Sequence, residues 1–171
     1  MKSNPGRIFA LLLLFAISLS LLSCTEEPQT REVTYCELSF TLPREYEDFD
    51  SGDAFDTAYS HGGRVVGITR LSFDACASEG VLTTMDARGF AEYYTELLGI
   101  GYPEIEELGD TVYYTYLSED GEGGSTLHMP QFVVTPYSYM VVTYIASDDA
   151  REGAIDEFLR VAATVRLSGS F

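Results

Sequence analysis

The sequence predicts a single α+β domain over 33–171, an antiparallel sheet of about six strands with one helix in mid-chain and one at the C-terminus. Strand-like segments recur six times, three on each side of a segment with helical spacing. The connections between successive strands are short, which makes neighbours antiparallel, because a parallel pair needs a crossover of roughly a dozen residues or more. A last segment with one apolar stripe at helical spacing closes the chain.

Over 33–42 the even positions Cys36, Leu38, Phe40 and Leu42 are apolar, while Glu37, Ser39 and Thr41 alternate with them. This predicts one half-buried strand with Cys36 facing the core. Pro43 ends it, and 44–53 reads as an acidic loop. Strands over 54–60 and 64–73 flank His61-Gly62-Gly63, where paired glycines supply the positive φ of a tight turn. The segment 74–85, with Cys76 and Gly80, connects to the first helix. Phe90, Tyr94, Leu97 and Leu98 form its apolar face, Thr83 or Asp86 can cap it, and Gly99, Gly101 and Pro103 stop it. Strands over 111–117, 125–135 and 137–146 follow as a meander, with Pro130 assigning the middle run an irregular or edge position. In the last helix Asp149 and Glu152 form a capping pair, and Ile155, Phe158, Leu159, Ala162 and Val165 make the stripe. Arg160 and Arg166 suit the dipole at its C-terminal end.

Ahead of the domain, Lys2 and Arg7 precede a mostly apolar run at 8–22 that ends in Leu21-Leu22-Ser23-Cys24. Charge, apolar length, small residue and cysteine in this order resemble the signal peptide and lipobox of bacterial lipoproteins. The resemblance implies that 1–23 is a cleaved signal peptide, that the Cys24 thiol carries a diacylglyceryl group, and that Cys24 becomes the mature N-terminus. It implies an extracytoplasmic protein held on a cell membrane or outer membrane, since two acyl chains anchor stably where one does not. The apolar run is shorter than the roughly 20 residues of a spanning helix. Residues 24–32 then form a polar tether, of which 25–32 reach at most roughly 29 Å.

Removing Lys2 and Arg7 with the signal moves the formal charge from −17 to −19, and the eight basic residues left are all arginine. Such a domain repels nucleic-acid phosphates and anionic lipid surfaces, so nucleic acid is excluded as a partner and the membrane is contacted through lipid on Cys24. Twelve Tyr and ten Phe argue for a packed core in spite of this charge. Export allows disulfides, and Cys36 and Cys76 remain as an even pair whose bridging the spacing leaves open.

No motif assigns catalysis. His61 lies in a glycine turn and His128 in a strand, there is no G-x-S-x-G elbow or H-E-x-x-H pair, and neither Cys36 nor Cys76 has a C-x-x-C partner. Glu45, Glu47, Asp48, Asp50, Asp53 and Asp56 crowd one loop, but with Asp48 as first ligand the EF-hand spacing fails at Gly52, Asp53 and Tyr59. No metal site or cofactor is expected. Tyr113, Tyr114, Tyr116, Tyr137, Tyr139 and Tyr144 fall on two strands, where they suit sheet packing or an exposed aromatic face.

An antiparallel sheet with a helix inserted midway and another at the end, opening with a strand that runs into Leu42-Pro43, resembles the PsbP-like fold group over roughly 33–167. That group includes exported lipoproteins and photosystem accessory subunits that act by binding other proteins. The resemblance implies a non-catalytic binding or accessory module of the cell envelope, with an envelope protein as partner. The alternative is an extracytoplasmic enzyme with a carboxylate-based site that the residues do not single out.

Overall fold

A computed structural model describes residues 29–119 and 123–168. The expected signal peptide, Cys24 and the expected tether up to residue 28 lie outside the described residues, as do 120–122 and the last three positions. The elements are β1 (Thr30–Tyr35), β2 (Leu38–Pro43), β3 (Glu47–Asp48), β4 (Thr57–His61), β5 (Arg64–Ser72), α1 (Phe73–Ser78), α2 (Ala87–Leu98), β6 (Glu106–Leu108), β7 (Thr111–Tyr113), β8 (Tyr116–Glu119), β9 (Ser125–Val134), β10 (Ser138–Ala146), α3 (Ala154–Ala162) and β11 (Arg166–Leu167).

These strands form two sheets, antiparallel at every pairing. The larger has eight strands in the order β3-β4-β5-β10-β9-β7-β6, with β8 also on β9, and the smaller is β1-β2-β11. The architecture is thus α+β as expected, but the sheet exceeds six strands. Alternation along β10 sets the layers. Met140, Val142, Tyr144 and Ala146 share one core with Leu38, Phe40 and Leu42 of the small sheet and Phe158 and Val161 of α3. Tyr139 and Val141 share the other with Cys76 of α1 and Phe90 of α2. Each Val, Leu, Met or Phe side chain among these, removed from water, contributes about 1.5–3 kcal/mol.

Several elements depart from the pattern in the sequence. The strand expected over 33–42 is two strands, with Tyr35 opposite Leu38 across a two-residue turn at Cys36-Glu37. Cys36 takes φ 48° there and is exposed, not core-facing. A two-residue turn leaves the period-two pattern of 38–42 intact, and no glycine or asparagine marks it. Residues 30–32, expected to lie in the tether, belong instead to β1, which begins at Thr30. The connection after β5 holds the short helix α1, capped by the Ser72 side chain, which accepts from the Ala75 N–H.

Helix α2 starts as expected at Asp86, whose carboxylate accepts from the Gly89 N–H at 2.7 Å. It buries Phe90, Ala91 and Thr95, and leaves Leu97 and Leu98 exposed. In α3 the buried stripe is Ala154, Phe158, Val161 and Ala162, with Ile155 exposed. The Asp149–Glu152 capping pair is not made: Gly153 is the N-cap, and Asp149 accepts from the Ser147 hydroxyl instead. Arg166 is past the helix in β11, bound to Glu32 and Ser39.

Pro130 is internal, between β10 and the pair β7/β8. Its carbonyl accepts from Tyr114 N, in the gap where β7 ends and β8 has not begun. The break in the neighbouring strand falls where proline has no N–H to give. Among the described residues no helix is long and apolar enough to cross a membrane.

Candidate functional site

Glu157, Arg160, Val161 and Thr164 follow one another at helical spacing along and just beyond α3, so one side of the helix presents all four. They wall a cleft of about 380 Å3 whose other sides are Thr30 of β1, Thr41 and Pro43 of β2, Glu45 and Tyr46 beyond it, and His61 and Arg64 at the β4–β5 turn. Gly62 and Gly63 have φ of 53° and 77°, and this turn brings His61 opposite Arg64. Thr164 ties the wall together, accepting from the Thr41 N–H at 2.8 Å and donating to the Val161 carbonyl at 2.7 Å.

The floor is a hydrogen-bonded polar triad. The Tyr46 hydroxyl donates to Glu157 Oε1 at 2.7 Å, and Arg64 donates to Glu157 Oε2. Arg64 also donates to the carbonyls of Ala150, at 3.1 Å, and Glu152, at 2.8 Å. Burial, then the hydrogen bond to Glu157, pushes Tyr46 far above the usual phenol range, so it stays a donor. A carboxylate held by a phenol on one oxygen and a guanidinium on the other is fixed in orientation.

What the cleft leaves free is different in kind. Seven of the eight arginines in the described residues have partners: Arg31 with Asp48, Arg44 with Gln29, Arg64 with Glu157, Arg70 with Glu37, Arg88 with Glu107, Arg151 with Asp148 and Arg166 with Glu32. Arg160 is the eighth and has none among the described residues, although it lines the cleft. Glu45, also on the lining, is likewise unpaired among them. The His61 ring stands 5.9 Å from that of Tyr46. The arrangement can hold a polar group against apolar walls.

A second polar cluster lies on β8 and β9, where Tyr116 is paired with His128 and Ser118 with Thr126. The Ser118 hydroxyl and His128 Nε2 share a hydrogen bond of 2.8 Å, and the Tyr116 ring is stacked on the imidazole at 4.7 Å. Burial lowers the His128 pKa and keeps the ring neutral at pH 7. A neutral imidazole against a hydroxyl is the first half of a nucleophile–base pair. Among the described residues no carboxylate orients its other nitrogen.

The sequence-predicted residues are dispersed. Cys24 lies outside the described residues. Cys36 and Cys76 are free thiols, the first exposed at the β1–β2 turn and the second on the buried side of α1. In the acidic loop Asp48 accepts from Arg31, Asp50 from the Gly52 N–H and Asp56 from the Arg70 N–H, each carboxylate turned to a different partner. Among the described residues no three His, Cys, Asp or Glu converge to hold a metal ion. Of the six tyrosines, Tyr113, Tyr114, Tyr139 and Tyr144 are buried, Tyr116 stacks on His128 and Tyr137 is exposed.

Sequence reasoning passed over Glu157 and Tyr46, read His61 as a turn residue and Arg160 as a dipole partner. The helical spacing of 157, 160, 161 and 164 was present, but three other chain segments complete the cleft and no local pattern announces them.

No family model matches this chain, and no curated protein matches it. Solved structures do. A crystal structure from Bacteroides thetaiotaomicron VPI-5482 is similar over 83% of this chain and 50% of its own, with TM-score 0.56 and 13% identity. The chain therefore spans half the length of that protein, and the likeness is one of fold. The solution structure of cyanobacterial PsbP (CyanoP) from Synechocystis sp. PCC 6803 is matched over 85% of this chain and 96% of its own, with TM-score 0.49 and 10% identity.

Proposed function

We propose that this chain is a lipid-anchored, extracytoplasmic binding module of the cell envelope, and that the cleft beside α3 is where it binds. The observation that carries the reading is the position of Thr30, which belongs to the cleft wall and stands six residues after Cys24. Six extended residues span roughly 20 Å, so a lipid on Cys24 would hold the cleft close to the membrane. Arg160, the one arginine without a partner among the described residues, supports binding as its role.

Two measurements test this. The Cys24→Ser variant loses the thiol needed for the thioether and is expected to leave the membrane fraction; retention equal to the parent refutes the anchor. A photo-crosslinking residue in place of His61, on the cleft, is expected to capture an envelope component in cells, whereas one in place of Glu79, exposed beyond α1, is not. Equal capture from both positions, or from Glu79 alone, refutes the cleft.

One observation favours a second reading, an extracytoplasmic hydrolase: the Ser118–His128 hydrogen bond. Covalent labelling of Ser118 by a fluorophosphonate, lost in His128→Ala, would establish it.

A further inference from the structure

The free charges in the cleft are of opposite sign and unpaired with each other. Arg160 and Glu45 both line it, and no ion pair or side-chain hydrogen bond joins them or joins either to another described residue. Arg64 and Glu157 present no unpaired charge, because they bond each other and are further held by the Tyr46 hydroxyl and the carbonyls of Ala150 and Glu152. The cleft thus offers one positive and one negative group over a floor that is electrically balanced, with Pro43, Val161 and the Tyr46 ring as apolar wall.

The rest of the domain decides what can reach it. A formal charge near −19 disfavours the approach of a simple anion to Arg160, and a simple cation has many exposed carboxylates to choose from. A ligand with no net charge escapes the first objection, and one that carries both charges escapes the second, since it engages Arg160 and Glu45 together. Resting on the binding role assigned to this cleft, we infer that it recognises an ammonium-bearing zwitterion: the anionic group, a carboxylate or phosphodiester, on the Arg160 guanidinium, the ammonium on the Glu45 carboxylate, and the connecting carbons against Pro43 and Val161. An arginine fork suits either anion, and a carboxylate accepts two or three N–H bonds from a primary ammonium. An amino acid and a phosphoethanolamine headgroup share this chemistry, and the second would be at hand for a cleft held near a membrane.

The experiment uses the full chain, exported by a lipoprotein-processing bacterium and purified in nonionic detergent, with isothermal titration of four probes. Glycerophosphoethanolamine and glycine carry both charges; glycerol phosphate and ethanolamine carry one each. Binding is expected for at least one of the first two and to be weaker by tenfold or more for the single-charge probes. Arg160→Gln and Glu45→Gln, both at exposed side chains, should each weaken it tenfold or more with the melting temperature unchanged, and Arg88→Gln, away from the cleft, should not. Response to glycerophosphoethanolamine without glycine assigns a lipid-type source, and the converse an amino acid. Equal binding of a single-charge probe, indifference to both cleft variants, or no binding of either zwitterion overturns the inference. If crosslinking from position 61 still captures an envelope component in that case, the cleft keeps its binding role and only the ligand class falls.

Discussion

Gln131 offers the sharpest test of how the large sheet and α3 are held in register. It is fully buried in β9, where its amide donates to Thr111 Oγ1 at 2.8 Å and to the Ala162 carbonyl at 3.1 Å, and its carbonyl accepts from the Tyr144 hydroxyl at 2.9 Å. One side chain thereby joins β9 to β7, to β10 and to the end of α3. Gln131→Leu keeps the volume and removes three hydrogen bonds, each worth about 1 kcal/mol net. It also leaves the Tyr144 hydroxyl, which is fully buried, without a partner at a cost of about 1–3 kcal/mol. The added apolar contact offsets part of this, so the expected loss is about 2–4 kcal/mol. For a domain of this size that lowers the melting temperature by about 5–15 °C. Urea unfolding followed by circular dichroism measures it. The argument also fixes a direction for the double variant. Gln131→Leu with Tyr144→Phe removes the orphaned hydroxyl and should recover about 1–2 kcal/mol relative to Gln131→Leu alone. A Gln131→Leu domain within about 0.5 kcal/mol of the parent, or a double variant less stable than the single one, would refute the reasoning.

Gly67 faces Phe55, since a Cβ at that position would stand 2.5 Å from the ring atoms; Gly67→Ala should cost about 1–3 kcal/mol in the same assay and little in a Phe55→Ala background. The two-pronged bond from Arg70 to Glu37, at 2.9 and 3.1 Å, holds the Glu37 carboxyl below its usual range and ties the β1–β2 turn to β5. A depressed carboxylate stabilises the fold at pH above the ordinary value of about 4.3, and that contribution is lost as pH falls through the folded value. The acid limb of a stability–pH curve should therefore flatten in Glu37→Gln, and an unchanged limb would count against the pair. A thiol reagent should modify Cys36 in the native protein within seconds to minutes and Cys76 only on unfolding; simultaneous modification, or no free thiol in the unreduced denatured protein, would contradict the free and unequal thiols of the structure.

Much of the architecture was legible because it follows from local periodicity. Period-two alternation at Met140, Val142, Tyr144 and Ala146 demands a sheet with one core on that face, and the intervening Tyr139 and Val141 demand cover on the other. Gly62-Gly63 makes a hairpin whatever surrounds it, and Asp86 caps a helix with its own carboxylate. These are interactions between residues a few positions apart, and a sequence displays them directly.

Tertiary structure decided what depends on neighbours far along the chain. Leu97 and Leu98 fit a helical stripe, yet the sheet under α2 reaches only Phe90, Ala91 and Thr95, so the two leucines stay in water. Pro130 reads as an edge residue until the gap between β7 and β8 is seen to accommodate its missing N–H. Cys36 reads as inward because nothing in its own side chain announces a turn. The cleft is the extreme case. Tyr46, Arg64 and Glu157 are separated by up to 111 positions, and only the packing of α3 against the small sheet and the β4–β5 turn makes them one network. The sequence by itself determined that the domain is α+β, antiparallel and strongly acidic, because composition and short-range periodicity carry that information. Which of its charges face each other, and which are left free for a ligand, is set by long-range packing, because a charge acquires its meaning from the partners within a few ångströms of it and not from its place in the chain.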